Sequence, residues 1–465
     1  MGPSRRSLVL AAPALLLPSR LRGAGLSSSI SPQLGGGIGN AFDGGISSVS
    51  ASFVNSSLNI VAVGDSITSG IAVSPYPWPQ MIGDGLAVTA SNEATASIGW
   101  AWNTSGAKTT PNLISLAATQ VDPLLNAPNS PWLILFAGTN DITYGDTAAQ
   151  AYASFQTYIA ARLAAGWPAA RIIVCTMLPR GSAVEAARTP YNASLVSGAS
   201  TYGYKLARLD LDPNIGQANQ NTNPEFYEQT FAIHPNIAGM TIVASDIAAI
   251  FAPGRSLTAW SSYDNSTGGN LFTISNQNLS ARVVADGVGF WATIRASTAR
   301  FAGKLYIEFR CTASGSDPNY AFGLAGYAYY NTSSNYLGGG SMTGTYDSSC
   351  GGYFDMVNNL NASGGFTSGA GTMPVANPAL NDVIGILTDF TAGKVWLARN
   401  NLNIGTGAAP NPTTDPAQIT FTPATVGALF PGMTASTPNA DGTWVLQATA
   451  ASQTYSPASG FSAWG

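Results

Sequence analysis

The chain has 465 residues, of which 45% are hydrophobic and only 9% charged, with a formal net charge of −4. That length exceeds a typical single domain and suits two domains plus a leader. The charge balance offers no basic field for nucleic acid and no polybasic patch for a membrane surface. With so few charges, Gly, Ser, Thr, Asn and Ala fill the surface, a texture common in exported proteins.

The first 24 residues read as a signal peptide. Ser4-Arg5-Arg6-Ser7 precedes an apolar run from Val9 to Leu17, and small residues follow around Gly23-Ala24. The paired arginines resemble a twin-arginine signal, so a secreted or periplasmic location is expected. The other reading is a true start further along the chain and no export role. The apolar run is too short to span a bilayer, and no other segment is long enough, so an integral membrane protein is not expected. Residues 25–55, with Gly35-Gly36-Gly37, read as a Gly/Ser-rich linker.

Residues 56–253 alternate short apolar runs with helical stretches. Strands are expected at Asn59–Val63, Trp132–Ala137, Ile172–Met177 and Leu206–Leu209. Helical spacing links Tyr152, Phe155, Ile159 and Leu163, and later Ile237, Met240, Val243, Ile247 and Phe251. Wholly apolar strands separated by helices predict a parallel α/β sheet with helices on both faces. In such sheets the active site lies at the carboxyl ends of the strands. Pro253-Gly254 closes this region. Residues 256–465 change texture: strand-like runs such as Lys304–Phe309 and Val383–Leu387 lie between Gly, Asn, Ser and Pro clusters, which predicts an all-β sandwich.

Three polar motifs follow strands or precede a helix. Gly64-Asp65-Ser66-Ile67-Thr68 comes directly after the first strand. A serine there is exposed and has backbone N–H groups nearby, although the triplet alone is equally an N-cap. It is not the lipase nucleophile elbow, which needs glycine where Thr68 stands. Gly138-Thr139-Asn140-Asp141 follows the second strand; Asn140 can aim its amide at an oxyanion, or the block is an ordinary turn with Asp141 capping a helix. His234-Pro235-Asn236 precedes the last helix and holds the chain's one histidine. A hydrolytic serine needs a base that titrates near neutrality, and His234 is the only imidazole able to serve.

Together these blocks resemble the SGNH (GDSL) hydrolase family. The resemblance implies a flavodoxin-like fold, Ser66 as nucleophile and His234 as base. It matches Ser105-Gly106-Ala107-Lys108-Thr109 to the family's glycine block, so Ser66, Gly106 and Asn140 form the expected oxyanion hole, with Gly99 as the fallback for Gly106. The family usually carries aspartate three residues before its histidine; here Phe231 stands there. A Ser–His dyad follows, with the Phe231 carbonyl as the expected acceptor for the imidazole Nδ1–H, unless Asp210, Asp212, Glu225 or Glu228 substitutes. Neither metal nor cofactor is expected, and no Cys/His cluster has metal-site spacing. Cys175 reads as a buried strand thiol, whereas Cys311 and Cys350 could pair in an oxidising compartment.

The second half resembles SPRY-type, concanavalin-like sandwiches through Gly303–Phe309, Asn381–Gly385, Gly393–Asn400 and the ending Gly460–Trp464. That resemblance implies a binding surface on loops for protein or glycan. Tyr327, Tyr329, Tyr330 and Tyr336 with Asn331 form a candidate sugar-stacking surface, or are ordinary core and sheet-face tyrosines. The expected protein is an exported carboxylester hydrolase acting on small or polymeric esters, among them acetylated glycan. The rivals are a lipase or thioesterase, and a non-catalytic recognition protein on the same folds.

Overall fold

Strand β1 (Ile60–Gly64) is wholly buried, as are β3 (Trp132–Phe136) below its first residue and β4 (Ile172–Cys175) throughout. In the structure, a computed structural model, these strands join β2 (Ala90–Asn92) and β5 (Lys205–Ala207) in one five-stranded sheet of order β2-β1-β3-β4-β5. Every pairing is parallel. This order is that of flavodoxin-like sheets, whose switch point between β1 and β3 lies where the chain reverses its direction of winding. The structure describes residues 58–465 except 72, 74–75, 127–129, 229–232, 263–271, 284–290, 314–319, 327–350, 356–359, 364–365, 369–378, 427 and 437–441. The expected leader and linker, Phe231, Cys350 and the candidate tyrosine surface (Tyr327, Tyr329, Tyr330, Asn331, Tyr336) therefore lie outside the described residues.

Alternation along each strand assigns side chains to two faces. Ile60, Ala62, Ile134, Phe136 and Ile173 pack with Trp78, Met81, Ile82 and Leu86 of α2 (Trp78–Leu86) and with Met240, Val243 and Ile247 of α7 (Ile237–Phe251). Val61, Val63, Leu133, Leu135, Ile172 and Val174 face the other way. There they meet α3 (Leu113–Gln120), α5 (Ala148–Ala164) and α6 (Ser182–Tyr202). Helix α5 starts at a capping box in which Thr147 and Gln150 exchange side-chain and backbone bonds.

Beyond α7 the strand pairings are antiparallel, apart from the short strand Ser462–Ala463, which runs parallel to its neighbour at Leu305 and Tyr306. One sheet has the order β12-β11-β10-β18-β8, comprising Leu360–Ser363, Gly351–Asp355, Tyr320–Gly326, Leu429–Ser436 and Trp291–Arg295. The other contains β9 (Lys304–Ala313), β14 (Val383–Asp389) and β15 (Lys394–Arg399) at its centre. Ile307, Phe309 and Ile386 from this second sheet share a core with Phe322 and Met433 from the first. A fold of parallel α/β sheet followed by antiparallel sandwich is what the apolar patterning predicted. Cys311 is buried and free, its Sγ 3.2 Å from the Ala313 carbonyl oxygen.

The sandwich also packs on the α2 and α7 side of the parallel sheet. Ala299, Ala428 and Phe430 enter its core, and the rings of Phe226 and Phe301 meet edge to face at 4.8 Å. Asp84 on α2 anchors the contact: its carboxylate accepts from Tyr76 Oη, Gln80 Nε2 and Ser262 Oγ. Burial pushes its pKa from 3.8 up to about 6, against those hydrogen bonds, which lower it. A carboxylate raised in the folded state favours folding below its ordinary pKa, and that benefit is lost as pH rises through about 6. Asp84→Asn is therefore expected to lessen the fall in thermal midpoint between acidic and neutral buffer, measured by calorimetry beside the parent protein. An unchanged pH slope would contradict the assignment.

Candidate active site

The carboxyl end of β1 sits against that of β3. A side chain at Gly64 would collide with the Phe136 carbonyl and with Thr68, so only glycine lets the strand end turn there. Asp65 then caps the short helix α1 (Ser66–Ser69), its Oδ1 accepting from Ile67 N at 3.0 Å, and Gly70 at φ 77° ends it. Ser66 is thereby fixed at the first helical position, with 7% of its surface exposed.

From the other side of the sheet order, the residues just before α7 bring in the imidazole. His234 Nε2 lies 2.8 Å from Ser66 Oγ, although 168 positions separate the two in sequence. For Nε2 to accept the hydroxyl proton, the ring must carry its own proton on Nδ1. The His234 backbone is pinned: its carbonyl accepts from Glu228 N at 3.0 Å, Tyr227 and Pro235 form a bridge, and Asn236 caps α7 through Ala238 N and Gly239 N. Phe231, whose carbonyl was expected to hold Nδ1–H, lies outside the described residues.

The four candidate acids have their own positions. Asp210 takes a bidentate bond from Arg208 and one from Thr176 Oγ1, which hold its carboxyl below the usual range although burial works the other way. Asp212 Oδ1 accepts from Asn214 N and Ile215 N. Glu225 and Glu228 bond through their backbone N–H groups, to Asn223 Oδ1 and the His234 carbonyl.

Asn140 lies in α4 (Thr139–Thr143), which begins at Gly138 with φ 112°. A Cβ at Gly138 would run into the Tyr191 ring, so the turn needs glycine on two counts. The Asn140 Nδ2 donates to the Ile98 carbonyl at 2.8 Å, which orients the amide and leaves it a second N–H. Asp141 does not cap the helix, which was the alternative reading of this block. Its two oxygens accept from Trp100 N at 2.9 Å and Ala101 N at 3.2 Å, tying the 98–101 loop to α4. Trp100 Nε1 donates in turn to Tyr191 Oη at 2.8 Å.

The two glycines expected to serve an oxyanion hole use their N–H groups within their own loop. Gly106 donates its N–H to the Asn103 carbonyl at 3.0 Å and lies over the Tyr144 ring, within a turn built on Asn103. The fallback Gly99 spends its N–H on the Trp102 carbonyl at 2.9 Å. The donors the structure does offer are the Ser66 N–H, at the unpaired start of α1, and the Asn140 amide. Asp141 fastens the 98–101 segment to α4 through its two bonds from Trp100 N and Ala101 N.

Sequence reasoning missed two further charged features. Asp65 is buried and its pKa is raised to about 6, chiefly by desolvation. Arg180, after β4, acts electrostatically on it. The available signal was position: charges standing immediately after apolar strands in a chain with few charges. Among the described residues no cluster of His, Cys, Asp or Glu could hold a metal, and no helix is long and apolar enough to cross a membrane.

Comparison with known proteins gives a family match over part of the chain. Residues 62–242 match the model of the GDSL-like lipase/acylhydrolase family. No curated protein matches the chain. Among solved structures, a member of the lipolytic G-D-S-L family from Veillonella parvula is 21% identical, covering 42% of this chain and 98% of its own, at a TM-score of 0.34. The lipase/acylhydrolase from Enterococcus faecalis is 14% identical, over 41% of this chain and 93% of its own, at 0.31. The SPRY domain of human HERC1 is 12% identical, over 38% of this chain and 91% of its own, at 0.26.

Proposed function

Since residues 62–242 form a GDSL-like lipase/acylhydrolase domain, we propose that the protein is a serine carboxylester hydrolase using Ser66 and His234. The observation that carries the reading is the 2.8 Å approach of His234 Nε2 to Ser66 Oγ at the carboxyl end of the sheet. As Ser66 Oγ attacks an ester carbonyl, its proton passes to Nε2. Negative charge gathers on the carbonyl oxygen, facing the Ser66 N–H and the Asn140 amide. Collapse breaks the bond to the alcohol, which leaves with the proton from Nε2. Water then repeats the sequence on the acyl-enzyme and restores Ser66.

The substrate proposed is an acetylated polysaccharide, because an esterase domain is joined to a sandwich of the kind that binds through its loops. Export to the periplasm or beyond fits the arginine-rich leader. A fluorophosphonate probe tests the chemistry: it should label the native protein and leave Ser66→Ala unlabelled, and p-nitrophenyl acetate should be turned over by the first alone. A native protein inert to both reagents would reject the hydrolase and favour a recognition protein on the same fold.

A further inference from the structure

The amide that serves the oxyanion is aimed by a hydrogen bond of its own. Asn140 has two side-chain N–H groups and gives one to the Ile98 carbonyl at 2.8 Å. Because a primary amide is planar, the place of that carbonyl fixes the direction of the second N–H. Catalysis therefore depends on the register of two segments far apart in sequence: the turn at 137–141, which carries the amide, and the loop at 98–101, which begins at its acceptor. A slip of about 1 Å between them would lose rate, since a preorganised donor works only over a narrow range of distance.

Asp141 ties the two segments from within the turn, accepting from Trp100 N at 2.9 Å and Ala101 N at 3.2 Å. A second tie comes from a third element. Tyr191 of α6 is wholly buried, and its hydroxyl touches both segments at once. Its Oη accepts from the Trp100 indole Nε1 at 2.8 Å and donates to the Ala137 carbonyl at 3.3 Å. The ring closes on the same turn: a Cβ at Gly138 would come within 2.6 Å of its Cζ. The indole has no slack either. Its centroid lies 4.9 Å from the ring of Tyr158 and 5.6 Å from that of Phe155, both on α5. With the indole wedged between these rings, a displacement at the Tyr191 hydroxyl passes to the backbone of the loop.

We infer that Tyr191 is a positioning residue of the hydrolase: its hydroxyl sets the place of the Ile98 carbonyl, and through it the aim of the Asn140 amide. Tyr191 touches no reacting atom. The inference rests on the ester-hydrolase reading and goes beyond it, giving a role to a helix that carries none of the sequence blocks.

A buried tyrosine that merely holds the core is the rival account, and Tyr204 supplies the comparison. It belongs to the same apolar layer, sets its ring edge-on to Phe155 at 5.7 Å and donates its hydroxyl to the Leu195 carbonyl of α6. That bond ends on neither the 98–101 loop nor the 137–141 turn.

The test uses the full chain and p-nitrophenyl acetate. Values of kcat and KM are measured for the native protein, Tyr191→Phe, Tyr204→Phe, Asn140→Ala and Asn140→Ala with Tyr191→Phe, each with its thermal midpoint. Phenylalanine at 191 keeps the ring against Gly138 and removes only the hydroxyl. Its kcat is expected to fall about tenfold, less than the roughly 10²-fold or more lost with a direct oxyanion donor, with KM within about twofold. In the Asn140→Ala background the same change should lower kcat by less than about twofold, because the amide it aims is gone. Tyr204→Phe also loses a buried hydroxyl bond, so its midpoint should fall, yet its kcat should stay within about twofold of native.

A native-like kcat in Tyr191→Phe overturns the inference. So does an equal fold-loss with and without Asn140, or a loss matched by Tyr204→Phe; either would mark a merely structural tyrosine. A native-like Asn140→Ala overturns it as well, since there would be no donor to aim. Where Tyr191→Phe fails to fold, Trp100→Phe takes its place. It removes the indole N–H that Tyr191 receives, its loss of kcat should likewise vanish in the Asn140→Ala background, and a loss that persists there overturns the inference. Native protein without Ser66-dependent turnover would reject the hydrolase reading itself, an outcome separable from the others because Ser66→Ala is measured alongside.

Discussion

Replacing His234 by alanine is expected to lower kcat for ester hydrolysis by about 10⁴- to 10⁶-fold, the loss typical of removing the base from a serine nucleophile. Because the chain has a single histidine, no other imidazole can substitute. The same fact makes the measurement clean: the one set of imidazole ring signals in a proton spectrum needs no assignment. Its titration midpoint should coincide with the acid limb of kcat/KM in the native protein. By contrast, Asp210→Asn, Asp212→Asn, Glu225→Gln and Glu228→Gln, made singly, are each expected to keep most activity. Asp210 is engaged by Arg208 and Thr176, and Asp212 by two backbone N–H groups. A large loss at any one of the four would identify it as the group that orients the ring. A His234→Ala variant with near-native turnover would remove the imidazole from the mechanism altogether.

The central strands were legible because both faces of the sheet are covered, which leaves unbroken runs such as Leu133-Ile134-Leu135-Phe136. Helix α5 and helix α7 were legible through one apolar face each. Helix α6 was not: it is rich in Ala and Ser, weakly amphipathic and carries Pro190 in its interior. Packing on α5 through Tyr191 and Leu195 sustains it, a tertiary effect that local pattern does not encode. Strand β2 escaped notice because its three residues, Ala-Ser-Asn, sit half exposed at the edge of the sheet.

The site was legible in part for an equally physical reason. Ser66, Asn140 and His234 belong to short blocks fixed by adjacent strand and helix ends, so the fold's topology brings them to one edge. The candidate glycines Gly99 and Gly106 belong to a loop whose course depends on a distant partner. Asp141 draws the 98–101 segment to α4 from about forty residues away in sequence, and nothing near Gly106 announces it.

On the proposed mechanism, with both candidate glycine N–H groups already bonded to carbonyls of their own loop, a larger share of the oxyanion's stabilisation would fall on Asn140. Asn140→Ala is accordingly expected to lower kcat by about 10²- to 10³-fold, roughly 2.7–4 kcal/mol, with KM for a small ester nearly unchanged. Asn140→Asp should be worse than alanine. Its shape keeps the helix intact, but it replaces a donor by a carboxylate within a site that already holds Asp65 and Asp141 buried. Steady-state kinetics of both variants, each checked for native circular dichroism, would decide the matter. If alanine cost less than about tenfold, the amide would be only orienting the Ile98 carbonyl, and the donors to the oxyanion would have to be sought along the 95–98 backbone instead. If aspartate were no worse than alanine, the electrostatic pressure from the two buried carboxylates would be smaller than their burial implies.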